Sequence, residues 1–253
     1  MMLTMNSVER NARIEALLQE GGFANLTTLC ERLQVSEATV RRDLMRLERE
    51  GRLQRVWGGA VRPADRSEPG NPWRTPASHE KLAIARAAAA HIQEGQTVIL
   101  DGGSTVAEVA RQLHGRSLQI ITNSVPIAEI FYDSRASEVT LTGGVFYPRL
   151  GVLLGPCCEQ MLATTKADVA VMGIAGITAQ GLSNSMPLVV GSERKMIEAS
   201  ARLIIVAEHA KFGRSAMVPV APLGAANLII TGKDLDAAHR RMLEAANVRY
   251  QLA

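Results

Sequence analysis

Apolar residues recur at helical spacing between Val8 and Glu20, with Ile14, Leu17 and Leu18 on one side, and Gly21-Gly22 stops the run. A second short helix fits Thr27 to Leu33, with Thr27 as N-cap and Leu29 and Leu33 on one face. Gln34 and Val35 make the turn. Ser36 then caps a third helix that reaches about Glu50, buries Val40, Leu44 and Leu47, and is ended by Gly51. Arg52 to Val61 alternates around Gly58-Gly59, which predicts a small β-hairpin. The stretch from Arg62 to Ser78 loses all periodicity, and Pro63, Pro69, Pro72 and Pro76 exclude a helix, so it reads as a linker.

From His79 the pattern changes. A helix over Glu80 to Ile92 is followed by short aliphatic runs at Thr97–Leu100, Leu118–Ile121, Val139–Leu141, Val169–Met172, Leu203–Ala207 and Leu228–Ile230. Helical stretches lie between several of them. Short buried strands alternating with helices predict a parallel, doubly wound sheet. The expected organisation is therefore α/β: residues 1–62 a winged helix-turn-helix, 63–78 a linker, and 79–253 a doubly wound domain.

Composition adds limits. The 253 residues suffice for a short domain plus a full α/β core. Aromatics are only 4%, so that core must be aliphatic. A net charge of +3 is compatible with nucleic-acid binding without demonstrating it. Cys30, Cys157 and Cys158 have no zinc spacing and suit a reducing compartment; Cys30 reads as a small core residue. Adjacent cysteines rarely bond to each other, so Cys157-Cys158 carries little as a redox pair. The start reaches Glu9 and Arg10 without an apolar leader, and no stretch is long enough to span a bilayer. A soluble, cytoplasmic protein without metal or cofactor is expected.

The third helix shows Thr39, Arg41, Arg42, Met45, Arg46 and Arg49 on its outer face. A recognition helix enters the major groove by its N-terminal part, where short hydroxyl side chains approach closely and arginines read guanine edges or neutralise phosphates. Glu37, Asp43, Glu48 and Glu50 could instead pair these arginines into a solvated face. The conjunction of tight turn, Ser-capped Arg-rich helix and glycine-rich wing favours DNA.

In the second domain, polar and glycine residues follow successive strands, where such sheets line a ligand crevice. Asp101, Gly102, Gly103, Ser104 and Thr105 form a turn entering a helix, whose amides and hydroxyls can hold a phosphate. Lys211 supplies a positive charge, and Asn123 and Glu208 can hydrogen-bond sugar hydroxyls. Singly, each is a turn, a cap or a surface residue.

The chain from VERNARIEALL through VSEATVRRDLMRLEREG to GGAV resembles the N-terminal domain of the DeoR family of bacterial regulators. The resemblance implies operator contacts from Thr27, Thr28, Ser36, Thr39, Arg41 and Arg42, with Arg46 on the same face, and from the wing at Trp57 and Gly58. DGGSTVAEVA, TNSVPIAEIF, LTGGVF, GSERKMIEAS and AEHAKFG resemble the sensor domain of that family, related in fold to ribose-5-phosphate isomerase and typically a binder of sugar phosphates. They extend the candidate effector site to Gly143, Gly144, Glu193, Arg194 and Lys195. Ala175 stands where the family often has Asp, and cannot transfer a proton; Glu208 replaces the usual Asp. The resemblance thus implies a homo-oligomeric repressor, dimer or tetramer, that binds operator DNA, is relieved by a phosphorylated sugar or sugar acid, and has no catalytic residues. An isomerase with a DNA-binding appendage, using Glu193, Arg194, Lys195 and Glu208, and a winged helix for protein contacts only, remain as alternatives. The segment Leu182 to Leu188 is where ligand choice could be tuned.

Overall fold

The structure, a computed structural model, describes residues 7–21, 23–56, 59–61 and 77–253. The chain divides into two compact units, Met1–Gly70 and Asn71–Ala253. All but the last two residues of the expected linker lie outside the described residues, as do Trp57 and Gly58.

In the first unit, helix α1 spans Ser7–Gly21, strand β1 Phe23–Asn25, α2 Leu26–Leu33 and α3 Glu37–Arg49, followed by β2 Gln54–Val56 and β3 Gly59–Val61. Ile14, Leu18, Leu29, Leu33, Val40, Leu44 and Leu47 close on one apolar core, as the helical spacing requires. The second helix starts one residue earlier than expected, and Asn25 rather than Thr27 is its cap: the Thr28 N–H donates to Asn25 Oδ1 at 2.6 Å. Gln34 turns the chain in the left-handed region at φ 53°. Ser36 caps α3 as expected, accepting from the Thr39 N–H at 3.3 Å. The wing strands β2 and β3 pair antiparallel, and β1, unforeseen in the sequence, adds to β3.

A polar joint sits beside this core. Asp43 is buried on α3, pairs with Arg10 of α1, and accepts from Arg46 Nη2 at 3.1 Å. Arg46 Nη2 also donates to the buried Asn11 at 3.0 Å.

The second unit runs α4 His79–Ala89, β4 Thr97–Leu100, α5 Ser104–Leu113, β5 Gln119–Thr122, α6 Val125–Ile130, β6 Glu138–Leu141, β7 Val145–Tyr147, β8 Val152–Leu154, α7 Pro156–Ala163 and β9 Val169–Met172. It continues with β10 Gly176–Thr178, β11 Gly181–Asn184, α8 Pro187–Ala199, β12 Leu203–Val206, a 3-10 turn His209–Lys211, β13 Val218–Ala221, β14 Leu228–Thr231, α9 Ala237–Ala245 and β15 Tyr250–Leu252. A parallel sheet orders the strands β15-β14-β12-β9-β4-β5-β6. Strand residues alternate between its faces. Val169 and Val171 join the core under α4, α5 and α6, and Ala170 and Met172 the core under α7, α8 and α9. Burial on both faces is why these strands read as unbroken aliphatic runs. An antiparallel sheet β10-β11-β13 and a hairpin β7–β8 complete the unit.

Removing Asp43 takes from Arg10 and Arg46 the buried carboxylate they share. Asp43→Ala should cost the first unit about 3 kcal/mol, measured as an earlier urea midpoint by circular dichroism. An unchanged midpoint would show that the joint does not hold α1 to α3.

Candidate functional site

The outer face of α3 presents short and cationic side chains side by side. Arg41 and Arg42 are exposed. Arg41 Nη2 lies 2.6 Å from Glu37 Oε1, an exposed i,i+4 pair whose net contribution is small and which a phosphate can replace. Arg42 makes no ion pair among the described residues. Ser36 Oγ and Thr39 Oγ1 are 3.0 Å apart at the helix N-terminus, with Thr28 in the first turn of α2. Thr27 lies in that same turn. Arg46 departs from its expected place. Its guanidinium is taken up by Asn11 and Asp43, so it braces α3 against α1 instead of facing outward with Arg42.

The second unit holds a cavity of about 420 Å³ at the C-terminal ends of β4, β5, β9 and β12. The chain order explains its place. From β4 the sheet grows through β5 and β6 on one side and through β9 and β12 on the other, so the crossovers diverge between β4 and β9 and leave a crevice there. Gly102, Gly103, Ser104 and Thr105 line it where α5 begins. No side chain caps α5, which leaves its first amides for a ligand. Glycine is needed in this loop. Gly103 sits at φ +132°, and a Cβ on Gly102 would come within 2.5 Å of Val152 Cγ1.

Cations gather in the same lining: Lys81 from α4, Arg149 after β7, and Lys211 from the 3-10 turn. Burial pushes the Lys211 ammonium below its ordinary range, partly offset by Glu208. Glu208 is itself bound by α4. Ser78 Oγ donates to Glu208 Oε1 at 3.0 Å, and Lys81 Nζ lies 3.6 Å from Oε2.

Acceptors form the other part of the lining. Asp101 is 5% exposed, Asn123 2% and Glu193 1%. Burial, then the negative charge of Glu193, raises Asp101 well above the usual carboxylate range. Burial raises Glu193 to about 7, against the lowering effect of Asn184 Nδ2, which donates to its Oε1 at 2.6 Å. Asn123 is pinned to the β7–β8 hairpin, its Nδ2 donating to the Leu153 carbonyl at 3.3 Å. Glu193 Oε2 and Asn123 Oδ1 are buried without a hydrogen-bond partner among the described residues.

The cavity thus gathers Asp101, Gly102, Gly103, Ser104, Thr105, Asn123, Glu193, Glu208 and Lys211 from the expected set. Gly143, Gly144, Arg194 and Lys195 lie outside its lining. A Cβ on Gly144, which sits at φ +130°, would come 2.5 Å from the Leu154 carbonyl oxygen, and one on Gly143 would touch Cys157, so glycine at these positions serves the packing of the β7–β8 hairpin. Arg194 donates to the Pro219 and Val220 carbonyls of β13. Lys195 pairs with Glu198 at 2.5 Å on the exposed side of α8. Lys81 and Arg149 escaped the sequence reading because nothing distinguishes them from ordinary surface cations. Asn184, Ser185 and Met186 of the Leu182 to Leu188 segment do line the cavity, as does Ala175.

Residues 10–66 match the family model of the DeoR-like helix-turn-helix domain, and residues 77–233 that of the DeoR C terminal sensor domain. The chain belongs to the DeoR family. It is a DNA-binding transcriptional regulator of that family. Similar DeoR-type chains include the "Transcriptional repressor AccR" of Agrobacterium fabrum, 34% identical over 248 residues and covering 96% of this chain and 95% of the relative. The "HTH-type transcriptional regulator UlaR" of Escherichia coli is 29% identical over 247 residues, 96% of this chain and 98% of that one. A ribose 5-phosphate isomerase of Methanocaldococcus jannaschii aligns at 16% identity and TM-score 0.39 over 52% of this chain and 53% of its own, too slight a likeness to add to the strand order above. No helix among the described residues is long and apolar enough to cross a membrane.

The buried acids have a thermodynamic consequence. Glu193 titrates near 7 when folded and near the ordinary carboxylate value when unfolded, so the folded state binds the extra proton between those two values. The contribution of this group to stability is therefore fully present below the unfolded value and is lost as pH rises through about 7, by up to about 3 kcal/mol. Without ligand, the second unit should melt lower at about pH 8 than at about pH 6, and Glu193→Gln should flatten that dependence. A melting temperature that rises over this range would contradict the burial of an uncompensated acid.

Proposed function

We propose that this DeoR-family regulator is a repressor that releases its operator when a small phosphorylated metabolite fills the cavity of the sensor domain. It works in the cytoplasm as a homo-oligomer, dimer or tetramer, without catalysis and without a cofactor. The observation that carries this reading is the convergence of the uncapped α5 N-terminus with Lys81, Arg149 and Lys211 in one cavity. A helix N-terminus and clustered ammonium and guanidinium groups favour an anion together. The relative named as a transcriptional repressor, matched along nearly the whole chain, supports repression. An oligomer follows from the small surface one short helix presents to DNA, which paired half-sites multiply.

On the DNA side the reading assigns operator contact to Ser36, Thr39, Arg41 and Arg42, with Thr27, Thr28 and the wing at Trp57 and Gly58. The metabolite acts only through its differential affinity for the two states. Helix α4 gives it a handle. Lys81 lines the cavity and faces Glu208, which also holds Ser78 at the start of that helix. An anion that draws Lys81 away from Glu208 alters the grip on the first turn of α4.

A second reading draws on Glu193, whose affinity for a proton suits a general base. Ala175 in the lining lacks the acid that proton transfer there would need. Incubation with pentose phosphates should give no turnover; enzyme-like turnover would replace the sensor reading.

Lys211→Ala should leave operator affinity intact and abolish release by the effector, and thermal shift should show no stabilisation by the phosphorylated sugars that stabilise the parent protein. Loss of operator binding with an unchanged effector response would refute this division of labour. Arg42→Ala should weaken operator binding by about 1–3 kcal/mol if it reads a base, or reduce the salt slope by about one if it holds a phosphate. Full affinity with an unchanged slope would remove Arg42 from the interface.

A further inference from the structure

The two edges of the parallel sheet are finished differently. At one edge, β15 is half-buried throughout: Tyr250 and Leu252 pack on the core, and Gln251 shares a 2.7 Å hydrogen bond with His91, just after α4. At the other edge, β6 has no buried residue and pairs with β5 alone. An open strand edge offers a row of free backbone N–H and C=O groups, which proteins guard with lysine, proline or a bulge. Strand β6 has none of these and carries one charge, Glu138. Exposed apolar side chains collect at both ends of it. Tyr132, in the turn that feeds the strand, is 92% exposed. Leu141 closes the strand, and Val145, 64% exposed, and Phe146 follow in β7. Four of the eight large apolar side chains exposed among the described residues thus fall between Tyr132 and Phe146, a concentration that marks an interface.

We propose that this edge is where a second copy of the chain docks, with a two-fold axis crossing the segment between Arg135 and Glu138. The order of side chains along the edge commits it to a copy of itself. From Tyr132 it runs aromatic, then cationic at Arg135, anionic at Glu138, and apolar at Leu141, Val145 and Phe146. A two-fold axis lays one edge antiparallel against the other. Tyr132 of each copy then meets the apolar end of the other, and Arg135 of each meets Glu138 of the other. Arg135 and Glu138 are both exposed and make no ion pair among the described residues, so both charges are free for this pairing. A foreign strand has no reason to carry the same order reversed. The inference rests on the reading of the protein as a homo-oligomer and places its interface. The β7–β8 hairpin that carries Val145 and Phe146 also delivers Arg149 to the cavity, so interface and cavity share one piece of chain.

The experiment is sedimentation velocity of the full chain over a range of concentrations, from about 0.1 to about 50 μM, in about 0.15 M salt. The parent chain should assemble. Glu138→Arg alone, or Arg135→Glu alone, should weaken that association by about tenfold or more, read as a shift to the next smaller species, because the axis repeats each new like-charge contact. The two exchanges made together restore opposite charges and should bring association back to within about threefold of the parent. A side chain that served only its own subunit would show no such recovery. Tyr132→Asp gives an independent reading: the side chain is almost fully exposed, so the change spares the core, and it should weaken assembly to a similar degree. A parent chain that stays monomeric over the whole range would overturn the homo-oligomer reading itself. A parent that assembles, with the single reversals or Tyr132→Asp without effect, or with the double exchange no better than either single, would overturn this inference alone.

Discussion

Strand β4 hydrogen-bonds to β5 on one edge and to β9 on the other, and everything in the sensor unit follows from that position. Connections leave β4 and β9 for opposite faces of the sheet, so no helix fills the space at their C-terminal ends. Asp101 stands directly after β4, Asn123 after β5, Gly173 after β9 and Glu208 shortly after β12. Four segments far apart in sequence are delivered to one cavity by backbone hydrogen bonding alone. The aliphatic strands give this frame its stiffness, since both faces are packed and the side chains have no room to rearrange.

Much of this arrangement is visible in the sequence, because burial on both faces writes itself as short runs such as Val169–Met172 and Leu203–Val206. Helix α3 is visible for a different reason: Ser36, the stripe Val40, Leu44 and Leu47, and the exposed Arg41 and Arg42 each fix one face or one end of it. Three-residue strands without a glycine-marked hairpin turn like that of the wing leave no such mark. Phe23–Asn25, Val145–Tyr147 and Gly176–Thr178 are too short for alternation to show, and their partners are set by tertiary contact.

The site was legible in part for a geometric reason. Glu193, Arg194 and Lys195 are neighbours in the chain but stand about 100° apart around a helix. Only Glu193 turns toward the cavity; Arg194 turns to the β13 carbonyls and Lys195 to Glu198. Arg46 shows the same limit on α3, where its place among exposed arginines hides a partner on α1. Lys81 could not be foreseen, because its closeness to Glu208 depends on where α4 docks on the sheet.

The lining of the cavity comes from separable pieces of chain. The amides of the β4–α5 turn and Lys211 belong to the sheet's own strand ends, whereas Glu193 and Asn184 sit on the β11–α8 segment beside it. On the proposed reading, substitutions in that segment would redraw what the molecule recognises while the residues offered to an anion stay as they are. Divergence after gene duplication would then have an easy route: on that reading a copy acquires a new inducer through a few changes near Asn184 and Glu193, with its sheet and the first unit inherited unaltered.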